Sequence, residues 1–478
     1  MSRNSKKKYY NSIFENIEIS DFAAEGKALC RIDNMVVFVR QGAPGDIADL
    51  QIVKVKRRFM EAEIVKFHKK SELRVDSFCE HFGTCGGCKW QHLKYDKQLE
   101  FKQKQVTDNI ERIGEIPNGS FELLPIAASE KTTFYRNKME YTFTNRRWLN
   151  SSEIDSDEEI SNKDGLGFHV PGFFDKVMDI EKCHLQPEPS NHIRLWTKKY
   201  AIEKGLDFYD IRNHCGWLKN LIIRNNIAGE FMVNLVVSEE NEKQLFPLLD
   251  EMSKEFKEIK SVFYTINAKK NSSMSDLEAV YYKGDHFIEE KMEDLSFKIG
   301  PNSFYQTNSE QAYKLYSIAR EFAGLSGNEI VYDLYTGTGT IACFVASMAK
   351  KVVGIEYVEE AIRYAKENTK TNNISNAAFY CGDLAATLTD DFIKANGKPD
   401  VIITDPPRAG MHPKVIEQIC SCQPEKVVYV SCNPATQARD IKLMEETYEL
   451  TKSQAVDMFP HTQHVENVCL LSLRKNKN

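Results

Sequence analysis

The chain has 478 residues, of which 42% are hydrophobic and 28% charged, with a formal net charge of -6. This composition is typical of globular proteins, and the length accommodates about two to four domains. No apolar stretch approaches the roughly 20 residues of a membrane-spanning helix. Twelve cysteines without a secretory leader argue against a disulfide framework. We therefore expect a cytoplasmic protein without a membrane partner, and a monomer because nothing indicates an obligate interface.

Short β strands separated by turn residues occupy the first module, from residue 13 to residue 67. The clearest are predicted at 27–32, 35–39, 47–55 and 59–67. Short strands of this kind favour a small barrel. Residues 51–70 contain seven Lys or Arg against two Glu, a charge pattern that suits phosphate contacts but also suits a solvated strand face. Phe38 and Phe59 are candidates for base-stacking platforms or, equally, for core residues.

Four cysteines form a metal-ligand pattern after this module. Cys79, Cys85 and Cys88 lie close together, with two glycines between the last two, and Cys183 follows in a second short motif. Thiolates at this spacing bind either a structural zinc or an iron–sulfur cluster. The spacing alone does not separate these two metal centres.

Two further elements precede the second half of the chain. A helix is predicted at 95–113, because Leu99, Val106, Ile110 and Ile113 recur near helical spacing and would dock on a neighbouring domain. A β region begins at 135–139, where the cations are candidates for contacts with RNA phosphates.

Acidic residues end successive predicted strands in the second half, which has an α/β pattern. A bend containing Gly337 and Gly339 follows the first strand and lacks the third glycine of the dinucleotide fingerprint. Glu356, Asp383 and Asp405 end the next three strands. The carboxyl ends of strands in an open α/β sheet line the ligand-binding crevice. The pattern therefore indicates a cofactor with a ribose but no pyrophosphate, S-adenosylmethionine.

A cysteine lies at the tip of the following strand. Cys432 follows the apolar run 426–430 and would face the same crevice as Asp405. A lone cysteine is more often a small buried hydrophobe than a nucleophile. The neighbouring acidic tips favour the catalytic interpretation.

With these residues the chain resembles the S-adenosylmethionine-dependent RNA uracil-C5 methyltransferases, which modify uridines in ribosomal and transfer RNA. The resemblance covers nearly the whole chain and rests on an N-x-F-x-Q segment at 302–306, D-P-P-R at 405–408, S-C-N-P at 431–434 and H-V-E-x-V at 464–468. It implies that contacts to the cofactor or the substrate come from Gln306, Tyr335, Glu356 and Asp405. It also implies that Cys432 is the nucleophile and Glu466 the general base.

The chemistry explains why this reaction needs a thiol and a carboxylate. Carbon 5 of uracil is a poor nucleophile until a thiolate such as that of Cys432 adds to carbon 6. Glu466 would then remove the extra proton from carbon 5. An isolated glutamate is usually a solvated surface residue, but Val465 and Val468 predict a strand setting that raises the pKa of Glu466.

The resemblance also implies the architecture. We expect an α/β fold with a Rossmann-like methyltransferase domain at 93–132 and 299–478, an N-terminal OB-like TRAM barrel at 9–68, and a central α+β iron–sulfur module at 69–92 and 133–298. On the four cysteines the resemblance implies a structural [4Fe-4S] cluster, with zinc as the less favoured alternative. Such a cluster favours 23S ribosomal RNA as the substrate, with a transfer-RNA T-loop uridine as the alternative.

Overall fold

The computed structural model describes residues 9–23, 26–156, 163–271, 273–274 and 276–475. The chain forms two compact units, Met1–Gln105 with Phe459–His464, and Val106–Met458 with Val465–Asn478. These units do not correspond one to one with the three predicted domains, whose boundaries stay a prediction. Within the described ranges, every helix is too short or too polar to cross a membrane.

The first unit contains one six-stranded sheet. Its strands are β1 (Ile13–Glu18), β2 (Asp21–Phe22), β3 (Ala28–Ile32), β4 (Met35–Val39), β5 (Ile47–Val55) and β6 (Phe59–Lys69). They lie in the order β1-β5-β6-β4-β3-β2, and alternating aliphatic side chains such as Val37, Leu50 and Ile52 form the core. The four strands predicted from the sequence are confirmed to within two residues at each end.

Phe38 and Phe59 do not belong to that core. Their ring centroids lie 5.3 Å apart and both side chains are partly exposed. The Lys27 ammonium lies 5.6 Å from the centroid of the Phe38 ring. An aromatic pair beside a cation on a sheet surface fits the platform alternative better than the core alternative.

Helix α1 (Tyr95–Arg112) agrees with the predicted helix, but its buried side chains are not only apolar. In the first unit, fully buried Gln98 accepts a hydrogen bond from the backbone N–H of His461 at 2.8 Å. Lys102, also buried, donates to the backbone oxygen of Phe459 at 3.0 Å. These two polar side chains therefore secure a segment that lies far away in sequence. The prediction that Ile113 belongs to the helical stripe was wrong, because it follows the helix and is 40% exposed.

The second unit begins with β7 (Glu122–Ala127) and a seven-stranded sheet. The strands of this sheet are β8 (Lys138–Thr144), β9 (Gly165–His169), β10 (Val177–Asp179), β11 (Leu218–Asn225), β12 (Phe231–Val237), β13 (Ile259–Ile266) and β14 (Val280–Gly284). Their order is β10-β9-β8-β11-β12-β13-β14. The helices of this region are α2 (Ser151–Ile154), α3 (Ser190–Glu203) and α4 (Glu242–Glu255), and a hairpin of β15 (Ile288–Met292) and β16 (Leu295–Ile299) follows.

An eight-stranded sheet completes the second unit. Its remaining strands are β17 (Ile330–Leu334), β18 (Lys351–Glu356), β19 (Ala377–Cys381), β20 (Val401–Thr404), β21 (Lys426–Ser431), β22 (Tyr448–Val456) and β23 (Glu466–Leu473). The helices around it are α5 (Ser309–Ala323), α6 (Thr340–Ala346), α7 (Glu359–Thr371), α8 (Leu384–Thr387), α9 (Asp390–Asn396), α10 (Pro413–Cys422) and α11 (Pro434–Leu443).

The topology of this sheet places a crevice at its centre. The order is β19-β18-β17-β20-β21-β23-β22-β7, with β17 to β21 parallel and β23 antiparallel to both of its neighbours. The strand order changes direction at β17, because β18 and β19 lie on one side of it and β20 and β21 lie on the other. Ligands of open α/β sheets bind at such a switch point, beyond the carboxyl ends of the strands. The predicted α/β fold is confirmed for this part of the chain.

Candidate active site

A glycine-rich bend joins β17 to α6 and forms one wall of the crevice. Tyr335 and Gly337 adopt left-handed backbone angles, with φ of +62° and +54°. Such an angle strains a non-glycine residue by about 1–3 kcal/mol, but half-buried Tyr335 is held by a hydrogen bond from the backbone of His412. A Cβ on Gly339 would lie 2.9 Å from that of Ala365, whereas a Cβ on Gly337 would have no described atom within 4 Å. The bend is therefore packed on one side and open toward the crevice on the other.

Glu356 ends β18 directly beside the bend. One of its carboxylate oxygens accepts the N–H of Gly337 at 3.1 Å, and the other accepts the N–H groups of the next two residues at 2.9 and 3.0 Å. These bonds fix the carboxylate at the strand end. Asp383, at the end of β19, is exposed and caps α8 by accepting a backbone N–H at 3.0 Å. Capping accounts for Asp383, and its contact with a cofactor stays a prediction.

The strand register brings Cys432 and Glu466 together. Antiparallel strands β21 and β23 pair Ser431 with Asn467 as the last residue pair of the ladder. Cys432 is the next residue after Ser431 and Glu466 is the residue before Asn467, so the two side chains extend the same ladder. Residues opposite each other in an antiparallel pair have Cβ atoms about 4.5–5.5 Å apart. The thiol and the carboxyl are thus neighbours at the mouth of the crevice.

Burial raises the pKa values of four ionisable groups in the crevice. Burial, and then the charge of Asp405, raises the pKa of Glu466 to about 8. Burial, and then Asp333, raises the pKa of Asp405 to about 7, and burial likewise raises the pKa of Asp333 to about 7. Burial raises the pKa of Cys432 to about 11, and the charges of Glu466 and Asp405 add to the rise. The Arg408 guanidinium opposes the rise at both Cys432 and Glu466.

Gln306 reaches the same group of residues through a tyrosine. Its side chain is hydrogen-bonded to the hydroxyl of Tyr316, which is buried on α5, and its backbone oxygen accepts a hydrogen bond from Asn137 Nδ2 at 2.9 Å. Burial raises the pKa of Tyr316 well above its ordinary value, and the nearby Asp405 carboxylate raises it further. Gln306, Tyr316 and Asp405 therefore form a connected wall of the crevice.

The sequence predictions missed two residues of this site. Arg408 had a signal in the sequence, because it lies inside the recognised D-P-P-R motif, which already pointed to the site. Tyr316 had none, since an aromatic residue on an amphipathic helix is usually read as core.

The four predicted metal ligands are distributed over the two units. Cys79, Cys85 and Cys88 are partly exposed in the first unit, and Cys183 is buried in the second. In the part of the chain that the structure describes, no three His, Cys, Asp or Glu side chains are gathered in a way that would hold a metal ion. The cluster predicted from the resemblance is therefore not shown and stays a prediction.

Comparison with known proteins gives close relatives over almost the full length. A Bacteroides thetaiotaomicron protein named as an RNA methyltransferase is 54% identical over 455 residues, which cover 95% of this chain and 100% of that protein. A Porphyromonas gingivalis protein with the same name is 52% identical, with 95% and 99% of the two chains covered. Residues 250–474 match the tRNA (uracil-5-)-methyltransferase family, and residues 14–65 match the TRAM domain. The chain belongs to the S-adenosylmethionine-dependent RNA uracil-C5 methyltransferase family.

A solved structure of this kind of methyltransferase supports the fold over the same length. The Pyrococcus abyssi tRNA (uracil-54, C5)-methyltransferase, in complex with S-adenosyl-L-homocysteine, is 28% identical, with a TM-score of 0.73 over 96% of this chain and 100% of that chain. The predictions of the family, of an RNA substrate, of the TRAM domain and of S-adenosylmethionine as cofactor are confirmed. The open bend at Gly337 and the fixed Glu356 carboxylate fit that cofactor.

Proposed function

We propose that this methyltransferase converts a specific uridine of 23S ribosomal RNA into 5-methyluridine through a covalent bond between Cys432 and carbon 6 of the uracil. The observation that carries this mechanism is the register of β21 and β23, which sets the Cys432 thiol opposite the buried carboxyl of Glu466. A nucleophile and a base are needed on the same pyrimidine ring, one at carbon 6 and the other at carbon 5.

The reaction begins when the Cys432 thiolate forms a bond to carbon 6. The electrons of the 5,6 double bond move into the ring carbonyl and give an enolate whose carbon 5 is nucleophilic. S-adenosylmethionine, when bound, would supply the methyl group from its sulfonium to carbon 5 and would leave as the neutral thioether S-adenosyl-L-homocysteine. Glu466 then takes the proton from carbon 5, the double bond re-forms, and the thiolate leaves carbon 6. The cycle returns Cys432 to its starting state and leaves a proton on Glu466.

The cofactor would lie along the strand ends next to the glycine bend. Gly337 leaves space for a close approach and Gly339 lets the bend pack against Ala365. Tyr335 offers its ring, and Glu356 is the partner for ribose hydroxyls. Asp383 would contribute from the next strand. Asp405 and Gln306 would hold the uracil edge or the reacting end of the cofactor.

We further propose a structural [4Fe-4S] cluster on Cys79, Cys85, Cys88 and Cys183. The support is the cysteine pattern together with N–H to sulfur contacts in the triplet. Cys79 accepts hydrogen bonds from two backbone N–H groups, and Cys85 Sγ accepts the N–H of Gly87 at 3.4 Å. Such bonds stabilise thiolates in metal centres. No step of the reaction passes through this cluster.

There are two candidate RNA substrates. The cysteine pattern favours 23S ribosomal RNA, because the resemblance links it to methyltransferases of that RNA. A transfer-RNA T-loop uridine is the second candidate, and the likeness to the Pyrococcus abyssi enzyme, a tRNA (uracil-54, C5)-methyltransferase, favours it.

The test is transfer of radiolabelled methyl from S-adenosylmethionine to unmodified 23S ribosomal RNA and transfer RNA, side by side. Nucleoside analysis and position mapping follow, with Cys432→Ala as the inactive control. Label in 5-methyluridine of 23S RNA supports the proposal, and label in transfer RNA selects the second candidate. Label in another nucleoside, or unchanged turnover by Cys432→Ala, contradicts the mechanism.

A further inference from the structure

A cavity outside the crevice lies beside the first turn of α5 in the second unit. It has a volume of about 160 Å³, and its lining includes Lys131, Phe134, Asn137, Asn225 and Ile227. This is several times the roughly 30 Å³ of one water molecule and less than the 300 Å³ or more of sites for drug-sized ligands. A flat group of the size of a nucleobase suits this volume.

Asn137 lines this cavity, and its buried side-chain oxygen has no hydrogen-bond partner among the described residues. Its side chain is buried, and Nδ2 donates to the backbone oxygen of Gln306 at 2.9 Å and to Ser309 Oγ at 2.8 Å. Because a carbonyl oxygen can only accept, the bond to Gln306 fixes which end of the amide is the oxygen. No donor in the described ranges of the chain reaches Asn137 Oδ1. A ligand donor that reached this oxygen would supply its missing hydrogen bond.

The other lining residues favour an aromatic ligand over a phosphate. Phe134 is 39% exposed and is held at φ +54° with its N–H bound to the His184 carbonyl at 2.8 Å. Its ring offers a stacking face for a base. Lys131 is paired with the Glu310 carboxylate, so the cation at the cavity is already neutralised. A base offers both the flat face and the donor, because every nucleobase except a fully substituted one carries an amino or imino N–H.

We propose that this cavity, named here the Asn137 cavity, binds a second unstacked base of the RNA substrate, near the target uridine in sequence. The inference rests on the proposed function. The two sites are linked directly, because Asn137 holds the backbone of Gln306, whose side chain contributes to the crevice. A base in the cavity thus adds a contact to the residue that positions Gln306. Recognition of single-stranded RNA by stacking and edge contacts of splayed bases is common.

The test is a mutant cycle between protein and RNA, with the substrate found in the methyl-transfer assay. Single abasic sites are placed at each position flanking the target uridine, and KM for RNA is measured with the wild-type enzyme and with Phe134→Ala. For the wild-type enzyme, we expect an abasic site at one position to raise KM about tenfold relative to intact RNA. For Phe134→Ala, KM should be the same for intact RNA and for RNA with that abasic site. Phe174→Ala is the matched control, because Phe174 is 66% exposed and does not line the cavity.

The outcomes separate this inference from the proposed function. The cavity binds no base of the substrate if every abasic site raises KM by the same factor in Phe134→Ala and in the wild type. The same conclusion follows if Phe134→Ala has the wild-type KM for intact RNA. If the wild-type enzyme methylates neither RNA, the proposed function fails first. If Phe134→Ala does not fold, Ile227→Trp replaces it, because the larger side chain fills the cavity from its rim. In this variant the same abasic site must no longer raise KM for RNA.

Discussion

Replacement of Glu466 by Gln tests the pairing of nucleophile and base most directly. The change removes a proton acceptor and a negative charge, and leaves a side chain of nearly the same size in a buried position. We expect Cys432 to add to uracil and carbon 5 to be methylated, but the carbon 5 proton then has no acceptor. The covalent adduct of protein and methylated RNA should therefore accumulate.

Glu466→Gln should change both the rate of turnover and the ionisation of the thiol. Loss of a positioned general base costs about 10²–10⁴-fold in rate, so multiple turnover should fall by that factor. Ionisation of the thiol should change in the opposite direction. The pKa of Cys432 is raised from 9.0 to about 11, first by burial and then by Glu466 and Asp405. Because the Glu466 charge contributes to this rise, Glu466→Gln should form more thiolate than the wild type near pH 9.

Two measurements on Glu466→Gln check this reasoning. With labelled S-adenosylmethionine and RNA, a denaturing gel should show one labelled methyl per protein in a covalent band, which is absent from the Cys432→Ala, Glu466→Gln double variant. Without RNA, alkylation of Cys432 by iodoacetamide should be faster than in the wild type at pH 9, because more of the thiol is ionised. Release of free 5-methyluridine RNA at the wild-type rate would refute the role of Glu466.

Three further predictions concern the cofactor, stability and the cysteines. Glu356→Gln should raise KM for S-adenosylmethionine about tenfold and leave kcat at saturation nearly unchanged in steady-state kinetics, since one charged hydrogen-bond acceptor is lost. Because burial raises the pKa of Glu466 from 4.5 to about 8, the stability contributed by its protonated form is complete below pH 4.5 and is lost as pH rises through 8. In thermal melting, the Tm of Glu466→Gln should therefore be about 2 °C or more above the wild-type Tm at pH 9, and the two values should be nearly equal at pH 4.5. Anaerobically purified Cys88→Ser should lose bound iron and sulfide by chemical analysis, whereas Cys381→Ser should keep them; equal metal content in both would exclude the predicted cluster.

The sequence predicted the sheet well where hydrophobic runs end in turn residues or acidic tips. Strands β17, β18, β20 and β21 are short, mostly apolar and mostly buried, so their positions could be predicted from the sequence pattern. The position of β23 in the sheet could not be predicted, because no local sequence signal shows that Glu466–Leu473 lies antiparallel between β21 and β22. That insertion decides that Glu466 faces Cys432. The motifs identified both residues, but only the register brings them next to each other.

Polar residues in buried positions were the hardest to predict. Gln98 and Lys102 interrupt the apolar pattern of α1, because they bind backbone groups of a segment more than 350 residues away in sequence. Tyr316 was missed for the same reason, since its partners Gln306 and Asp405 come from other elements. Helical spacing predicts which face of a helix is buried, but it does not predict which residues pack against that face.

The crevice combines a thiol and three carboxyls whose charged forms are disfavoured by burial and by one another. Cys432 and Glu466 are therefore mostly neutral near pH 7, whereas the pKa values of Asp405 and Asp333 are about 7. A free thiol of pKa about 11 reacts slowly with stray electrophiles. Positive charge brought close to these groups lowers their pKa values, as Arg408 already does for Cys432 and Glu466. The sulfonium of the bound cofactor carries such a charge. The nucleophile and the base should thus become most competent when the cofactor is present, which couples thiol reactivity to occupancy of the site.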